Sequence, residues 1–162
     1  MRLVDAVTKT PALRGALRTG LGAIKQQDRA RIRPEDVHRL RGSIDVDEKL
    51  KRSFPTSNRW DYVIGVQHAN RKSGDEDVYW VEVHSAHDHG ATEVLRKIQW
   101  LRAWLAGQGL PLAFSGRRKF VWVASGKVSL TRDARRVREL AKHGIAFPTR
   151  ILEIKATVPS NG

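Results

Sequence analysis

Two stretches of the chain, residues 59–66 and 78–85, are rich in aromatic and β-branched residues, as is typical of β-strands. The polar segment 67–77 separates them, which predicts a hairpin connection.

One face of the second predicted strand changes from apolar to polar near its end. Glu82 and His84 occupy the face that Val78 and Trp80 share, because side chains alternate along a strand with a period of two. A simple hairpin places Asp61 opposite His84 and on the same face. The pattern therefore predicts that Asp61, Glu82 and His84 converge at the open end of the hairpin.

Helical periodicity predicts helices over residues 92–105 and 131–143. Residues 119–124 read as a third strand and residues 151–154 as a short edge strand. A strand, a crossover helix and a further strand imply a parallel connection next to the hairpin. We therefore expect an α/β fold with a small mixed β-sheet flanked by helices.

The remaining chain is predicted to be helical before the hairpin and loose after the last strand. Residues 1–33 form a basic segment with an amphipathic helix that begins at Thr10–Pro11 and packs on the domain. A short helix is expected over residues 34–40, and a further helical turn capped by Ser43 or Asp45. Residues 34–156 are predicted to form one domain, and residues 157–162 a loose tail.

Composition narrows the choice of partner and compartment. The 162 residues carry a net charge of +13, which favours a polyanion such as nucleic acid, although an acidic protein partner or a homodimer is also compatible. The absence of cysteine excludes disulfides and cysteine-ligated zinc. With no apolar run of membrane-spanning length and no secretory h-region at the start, no membrane partner and a cytoplasmic location are expected.

Carboxylates at the hairpin end suggest metal chemistry. Asp61 and Glu82 supply the hard oxygen ligands that Mg²⁺ or Mn²⁺ prefers, and such an ion polarises a phosphate and activates water. A structural interpretation also exists, in which Asp61 caps the strand entry and Glu82 and His84 form a charge pair on a solvated face. The clustering of polar groups at one end of an otherwise apolar face favours the metal site.

This arrangement resembles the PD-(D/E)XK nuclease superfamily, whose fold is restriction-endonuclease-like. In that pattern an acid at the start of one strand is followed by an acidic-x-lysine triplet in the next. Asp61 matches the first acid, and Glu82-Val83-His84 matches the triplet with histidine in place of lysine. The resemblance implies metal-dependent cleavage of DNA or RNA phosphodiester bonds by Asp61 and Glu82, with the carbonyl of Val83 as a further ligand.

The resemblance also assigns roles outside the two strands. Glu48, or less well Glu35, corresponds to an upstream helical carboxylate that supports the metal or positions water. The helix after the triplet carries Lys97 and Glu93, and Lys97 is expected to supply the missing cation. Either His84 or Lys97 would act as a base or stabilise charge. The sequence shows two strands before this helix where the superfamily core has three, and a catalytically inactive nucleic-acid-binding module remains the alternative.

Basic, histidine and tryptophan residues complete the set of predicted contacts. Arginine and lysine clusters are expected to contact nucleic acid, foremost Arg117, Arg118, Lys119, Arg132, Arg135 and Arg136, with Arg71–Lys72 as a further cluster. His84, His87 and His89 have a spacing compatible with zinc or with a polar loop in which Asp88 or Thr92 caps the next helix. Most tryptophans are expected in the core, with Trp60 as a ligand-stacking exception.

Overall fold

The computed structural model describes residues 1–69 and 74–155 of the chain. Its helices are α1 (Leu3–Thr8), α2 (Gln26–Arg29), α3 (Val46–Leu50), α4 (Asp88–Ala106), α5 (Leu110–Ala113) and α6 (Arg135–Lys142), with single 3₁₀ turns at Pro11–Leu13 and Val37–Arg39. Its strands are β1 (Ile32–Pro34), β2 (Leu40–Asp45), β3 (Tyr62–Gln67), β4 (Glu76–His84), β5 (Arg117–Ala124) and β6 (Leu152–Ile154).

The main sheet has four strands in the order β2-β3-β4-β5. Strands β2 and β4 each run antiparallel to β3, whereas β5 runs parallel to β4. Helix α4 lies in the connection between β4 and β5, as a parallel pair requires. Strands β1 and β6 form a separate two-stranded parallel sheet. The expected α/β fold with a mixed sheet flanked by helices is therefore confirmed.

Both faces of the main sheet are covered. On one face β3, β4 and β5 pack against α4 and the N-terminal segment, in a core that includes Leu3, Leu13, Val63, Trp80, Ile98, Leu101 and Trp122. On the other face a smaller core joins the sheet to the β1–β6 pair through Ile24, Ile32, Tyr62, Ile64, Val81, Leu152 and Ile154. Burial on both sides explains why β3 and β4 are almost continuously apolar.

The hairpin register differs from the expected one by two residues. Tyr62 pairs with Val81, which puts Asp61 level with Glu82 instead of His84. The predicted Asp61–His84 pairing was therefore wrong. A shift of two residues keeps every side chain on its predicted face, so Asp61, Glu82 and His84 still share one.

Strand β2 was not predicted from the sequence, and the helix predicted over residues 34–40 was wrong, since that segment holds the end of β1 and a 3₁₀ turn. The pairing of β2 with β3 shifts between Leu40 and Gly42, which breaks the alternation that identifies a strand. Gly42 has a φ of 111°, and a Cβ there would lie 2.7 Å from a methyl carbon of Leu17. The backbone therefore needs glycine inside the strand.

The N-terminal segment packs on the domain as expected, but with less helix. Instead of a long helix from Thr10, the chain forms α1, a 3₁₀ turn and the single turn of α2. Gly15 and Gly20 adopt positive φ between these elements and end the helical stretch. Leu3 and Leu13 are nonetheless fully buried in the core.

Other predicted elements occur with shifted ends. Asp45 caps α3 by accepting a hydrogen bond from the N–H of Glu48 over 2.9 Å, one of the two caps predicted. Helix α6 begins at Arg135 and not at Thr131. Trp60 is fully buried, so the prediction that it stacks on a ligand was wrong. Within the described ranges, none of the helices has the length and apolar character needed to cross a bilayer. The predicted tail and the Arg71–Lys72 cluster lie outside the described residues.

Candidate active site at the ends of strands β3 and β4

Two hydrogen bonds connect Asp61, just before β3, with Glu82 and Val83 of β4. The N–H of Asp61 donates to Oε2 of Glu82 over 3.1 Å, and Oδ2 of Asp61 accepts from the N–H of Val83 over 3.0 Å. Each carboxylate thus accepts a hydrogen bond from a main-chain N–H of the other segment, just beyond Tyr62–Val81, the last residue pair between β3 and β4. These bonds fix the two carboxylates next to each other on the face that α4 covers.

Lys97 completes this cluster from helix α4. Its Nζ atom contacts Oε1 of Glu82 and lies 3.7 Å from Oδ1 of Asp61. One ammonium from α4 therefore contacts both Asp61 and Glu82. Lys97 can reach the sheet because its neighbours Val94, Ile98 and Leu101 pack that side of α4 against it.

Burial sets the charge state of the three groups. Glu82 has no exposed area, and its burial, together with the nearby charge of Asp61, raises the pKa of its carboxyl well above the ordinary value. Burial also raises the pKa of Asp61, against the opposing effect of Lys97. For Lys97, burial alone lowers the pKa, but Glu82 and Asp61 outweigh it and the pKa is raised, so the ammonium stays charged at neutral pH.

His84 links this cluster to the surface through Glu93. Its Nε2 atom is hydrogen-bonded to Oε2 of Glu93, while its Nδ1 atom lies 3.8 Å from Oε1 of Glu82. Glu93 also contacts Nε2 of His89 over 3.1 Å. The hydrogen bond with His84 is the largest cause that lowers the pKa of Glu93. A continuous polar path therefore runs from buried Glu82 to the solvent-exposed His89.

The three histidines do not converge on one point. His87 caps α4, since its Nδ1 atom accepts a hydrogen bond from the N–H of Gly90 over 3.1 Å. The helix cap had been expected from Asp88 or Thr92. His84 and His89 instead meet on opposite oxygens of Glu93.

The carboxylates near Asp61 that come from earlier in the chain are Asp28, Asp45 and Asp47, and not the predicted Glu48. Asp47 and Asp28 raise the pKa of Asp61, and Asp61 in turn contributes to the raised pKa of Asp45, whose largest cause is burial. Glu48 is exposed, and among the described residues no hydrogen bond or ion pair joins it to the cluster. Asp47 was not singled out from the sequence, although its position in the first turn of α3 was a recognisable signal.

The donor set decides how a metal ion fits. No three His, Cys, Asp or Glu side chains within residues 1–69 and 74–155 are arranged to hold one. Mg²⁺, however, is commonly held by one or two carboxylates with water and substrate phosphate. Asp61 and Glu82 fit that mode. The Val83 carbonyl faces the same end of β3 as its N–H, because both groups of a strand residue point to one side.

The basic residues predicted to contact nucleic acid interact with other side chains of the protein. Arg117 and Lys119 belong to β5 and not to a loop, and Lys119 lies 3.5 Å from a carboxylate oxygen of Asp77. Arg135 and Arg136 both pair with Glu139 on their own helix. Arg118 and Arg132 instead rest on phenylalanine rings.

Comparisons with protein-family models, with curated proteins and with solved structures each returned no match for this chain. The functional argument therefore depends on the residues and their geometry.

Proposed function

We propose that this protein is a metal-dependent nuclease that cleaves phosphodiester bonds of DNA or RNA. The observation that carries the proposal is the contact of the Lys97 ammonium with both Asp61 and Glu82 at adjoining strand ends. Two carboxylates and a cation at one point supply a place for a divalent ion and a positive charge for the phosphate.

The energetic cost of this cluster supports a functional role. Glu82 is fully buried, and removing a carboxylate from water is costly even when an ammonium faces it. An apolar residue at this position would extend the core formed by Val78 and Trp80 on the same face. Buried ionisable groups with raised pKa values, such as Asp61 and Glu82 at the ends of β3 and β4, are enriched in active sites.

Each residue has a distinct task in this proposal. Asp61, which is 20% exposed, and the buried Glu82 would hold Mg²⁺ or Mn²⁺, and the Val83 carbonyl faces the same place. The metal ion, when bound, polarises the phosphate and lowers the pKa of a water molecule. Lys97 remains protonated and stabilises negative charge on the phosphate. His84, at the exposed side of the cluster, accepts the proton.

Two further features support this assignment. The element order β2-β3-β4-α4-β5 contains three antiparallel strands before the helix, the number that the PD-(D/E)XK resemblance implies. The net charge of +13 matches a polyanionic substrate.

A second candidate function is nucleic-acid binding without turnover. The same Lys97 contact favours it, because an ammonium that neutralises both carboxylates competes with a metal ion for them. In this case the cluster only fastens α4 to the sheet, and the basic surface accounts for the whole function.

The decisive experiment is a cleavage assay with Mg²⁺ or Mn²⁺ on supercoiled plasmid, single-stranded DNA, duplex DNA and RNA. We expect cleavage by the wild type that chelator abolishes and that Asp61→Asn and Glu82→Gln each reduce by at least about 100-fold. Asp5→Asn, which makes the same charge change at a side chain of α1 that is 45% exposed, should leave the rate unaltered. Equal activity in wild type and Asp61→Asn would contradict the proposal, and absence of cleavage with retained binding would favour the second function.

A further inference from the structure

A groove of about 360 Å³ lies beside strand β5. It is lined by Phe120 and Trp122 of β5 and, from the chain that follows α6, by Phe147, Thr149 and residues 151–153. A groove of this volume is comparable with small ligand pockets and accommodates a planar ring system. Since β5 is the last strand of the main sheet, the groove opens towards solvent.

Arginines accompany both phenylalanines of this groove. The guanidinium carbon of Arg132 lies 4.5 Å from the ring centroid of Phe147. The guanidinium carbons of Arg102 and Arg118 lie 5.1 Å and 6.0 Å from the ring centroid of Phe120. All three arginines are exposed and come from separate parts of the chain, namely β5, α4 and the loop before α6. The groove is therefore aromatic within and cationic at its margins.

Glu153, an acidic residue that lines the groove, does not cancel the positive charge of the three arginines. Glu153 is paired with Lys155 over 2.8 Å, an interaction that lowers the pKa of the carboxyl. A ligand that enters the groove thus meets the rings of Phe120 and Phe147, which have three guanidinium groups beside them. Such a combination suits a base that stacks on an aromatic ring while its phosphates face arginine.

An added peptide strand fits this edge less well. The chain already covers the end of β5, because Ala124 donates to the carbonyl of Thr149 over 2.8 Å and Thr149 donates to that of Trp122 over 3.4 Å. Only the half of β5 that begins with Arg117, Arg118 and Lys119 is left for pairing, and charged residues of this kind discourage strand addition.

We propose that the Phe120–Phe147 groove binds single-stranded nucleic acid by stacking bases on its rings, with Arg102, Arg118 and Arg132 facing the phosphates. The choice of nucleic acid rests on the proposed function, and the groove extends it by favouring a single strand, since bases in a duplex are stacked on each other and do not enter. Catalysis is not required for this binding.

The test is fluorescence anisotropy of a labelled single strand of about 12 nucleotides in the presence of chelator. Phe120→Leu and Phe147→Leu keep apolar volume but remove the ring, and each should weaken single-strand binding by about 5- to 100-fold. Phe114→Leu is the matched control, because Phe114 is 65% exposed on another surface.

A second variant avoids dependence on core packing. Arg118→Gln/Arg132→Gln changes only exposed side chains, and it should weaken binding and lower the salt dependence relative to Arg2→Gln at α1. Unchanged single-strand affinity in these groove variants would overturn the proposal. The proposal would also be overturned if the groove bound an acidic peptide through the two phenylalanines and did not bind DNA or RNA. If cleavage fails but binding remains sensitive to the rings, the groove stands without the nuclease.

Discussion

The N–H of Asp61 donates to Oε2 of Glu82 over 3.1 Å, although the two residues lie on different strands and both carry carboxylates. The hydrogen bond orients Glu82 so that its other oxygen, Oε1, meets the ammonium of Lys97. Two acids with raised pKa values are thereby kept next to a lysine that remains charged. This relationship leads to predictions for stability as well as for activity.

Removal of the ammonium should destabilise the fold. Lys97→Met keeps most of the aliphatic stem but leaves Glu82 without its cation, so we expect a loss of roughly 3–5 kcal/mol in the free energy of unfolding. The combined Lys97→Met/Glu82→Gln variant should recover much of this loss, because it no longer buries an unpaired charge. Urea denaturation in chelator measures both effects.

Lys142→Met provides the control for that comparison, since Lys142 is exposed at the end of α6. Its effect should stay within about 0.5 kcal/mol. The proposed stabilisation of Glu82 by Lys97 is contradicted if Lys97→Met lowers the free energy of unfolding no more than Lys142→Met does. It is also contradicted if the loss in the double variant equals the sum of the losses in the two single variants.

Stability should also depend on pH through Glu82. Its raised pKa means that the folded protein binds a proton more readily than the unfolded chain. The free energy of unfolding therefore decreases as the pH rises above 4.5, the ordinary value for this carboxyl, towards the raised folded pKa. The slope for one proton is at most about 1.4 kcal/mol per pH unit. Lys97 adds no slope here, because its stabilising charge is lost only at alkaline pH.

Glu82→Gln removes this titration and should flatten the profile. Urea unfolding of wild type and variant between about pH 5 and about pH 8 tests the sign. Parallel profiles would show that burial does not raise the pKa of Glu82, and a wild type that gains stability relative to the variant with rising pH would reverse the argument.

The close approach of α4 to β4 should depend on Gly90. A Cβ at this position would lie 2.0 Å from the carbonyl oxygen of Ser85, so the start of α4 must shift to admit it. We expect Gly90→Ala to cost about 1–3 kcal/mol and to reduce cleavage, because α4 carries both Lys97 and Glu93. Gly126→Ala, with nothing within 4 Å of the new Cβ, should have little effect on either. Equal behaviour of the two variants in thermal unfolding and cleavage would contradict this dependence.

The extent to which the site follows from the sequence can be judged from particular residues. Asp61 and Glu82 were found because polar residues interrupt an apolar strand face, and that signal survives a register error of two residues. Lys97 came from the superfamily resemblance, since periodicity alone does not show which residue of a helix reaches a neighbouring strand. The contact of Glu93 with His84 depends on how α4 docks on the sheet, which no local pattern encodes.

The fold was predictable where periodicity is regular. Strands β3, β4 and β5 and helix α4 have clear periods, and they were recognised with small errors at their ends. Strand β2 was not, because the bulge at Gly42 removes the alternation. The N-terminal segment was predicted too helical, since leucines at helical spacing also arise where 3₁₀ turns and glycine turns bury them separately.

The most direct test of the central claim is a Mn²⁺ titration followed by electron paramagnetic resonance, with and without a short oligonucleotide. The account predicts that wild type and Asp5→Asn bind the ion, that Asp61→Asn loses this binding, and that Lys97→Met retains it, because the ammonium no longer competes for the carboxylates. The same Mn²⁺ affinity in wild type and Asp61→Asn under both conditions would contradict a metal site at Asp61 and Glu82.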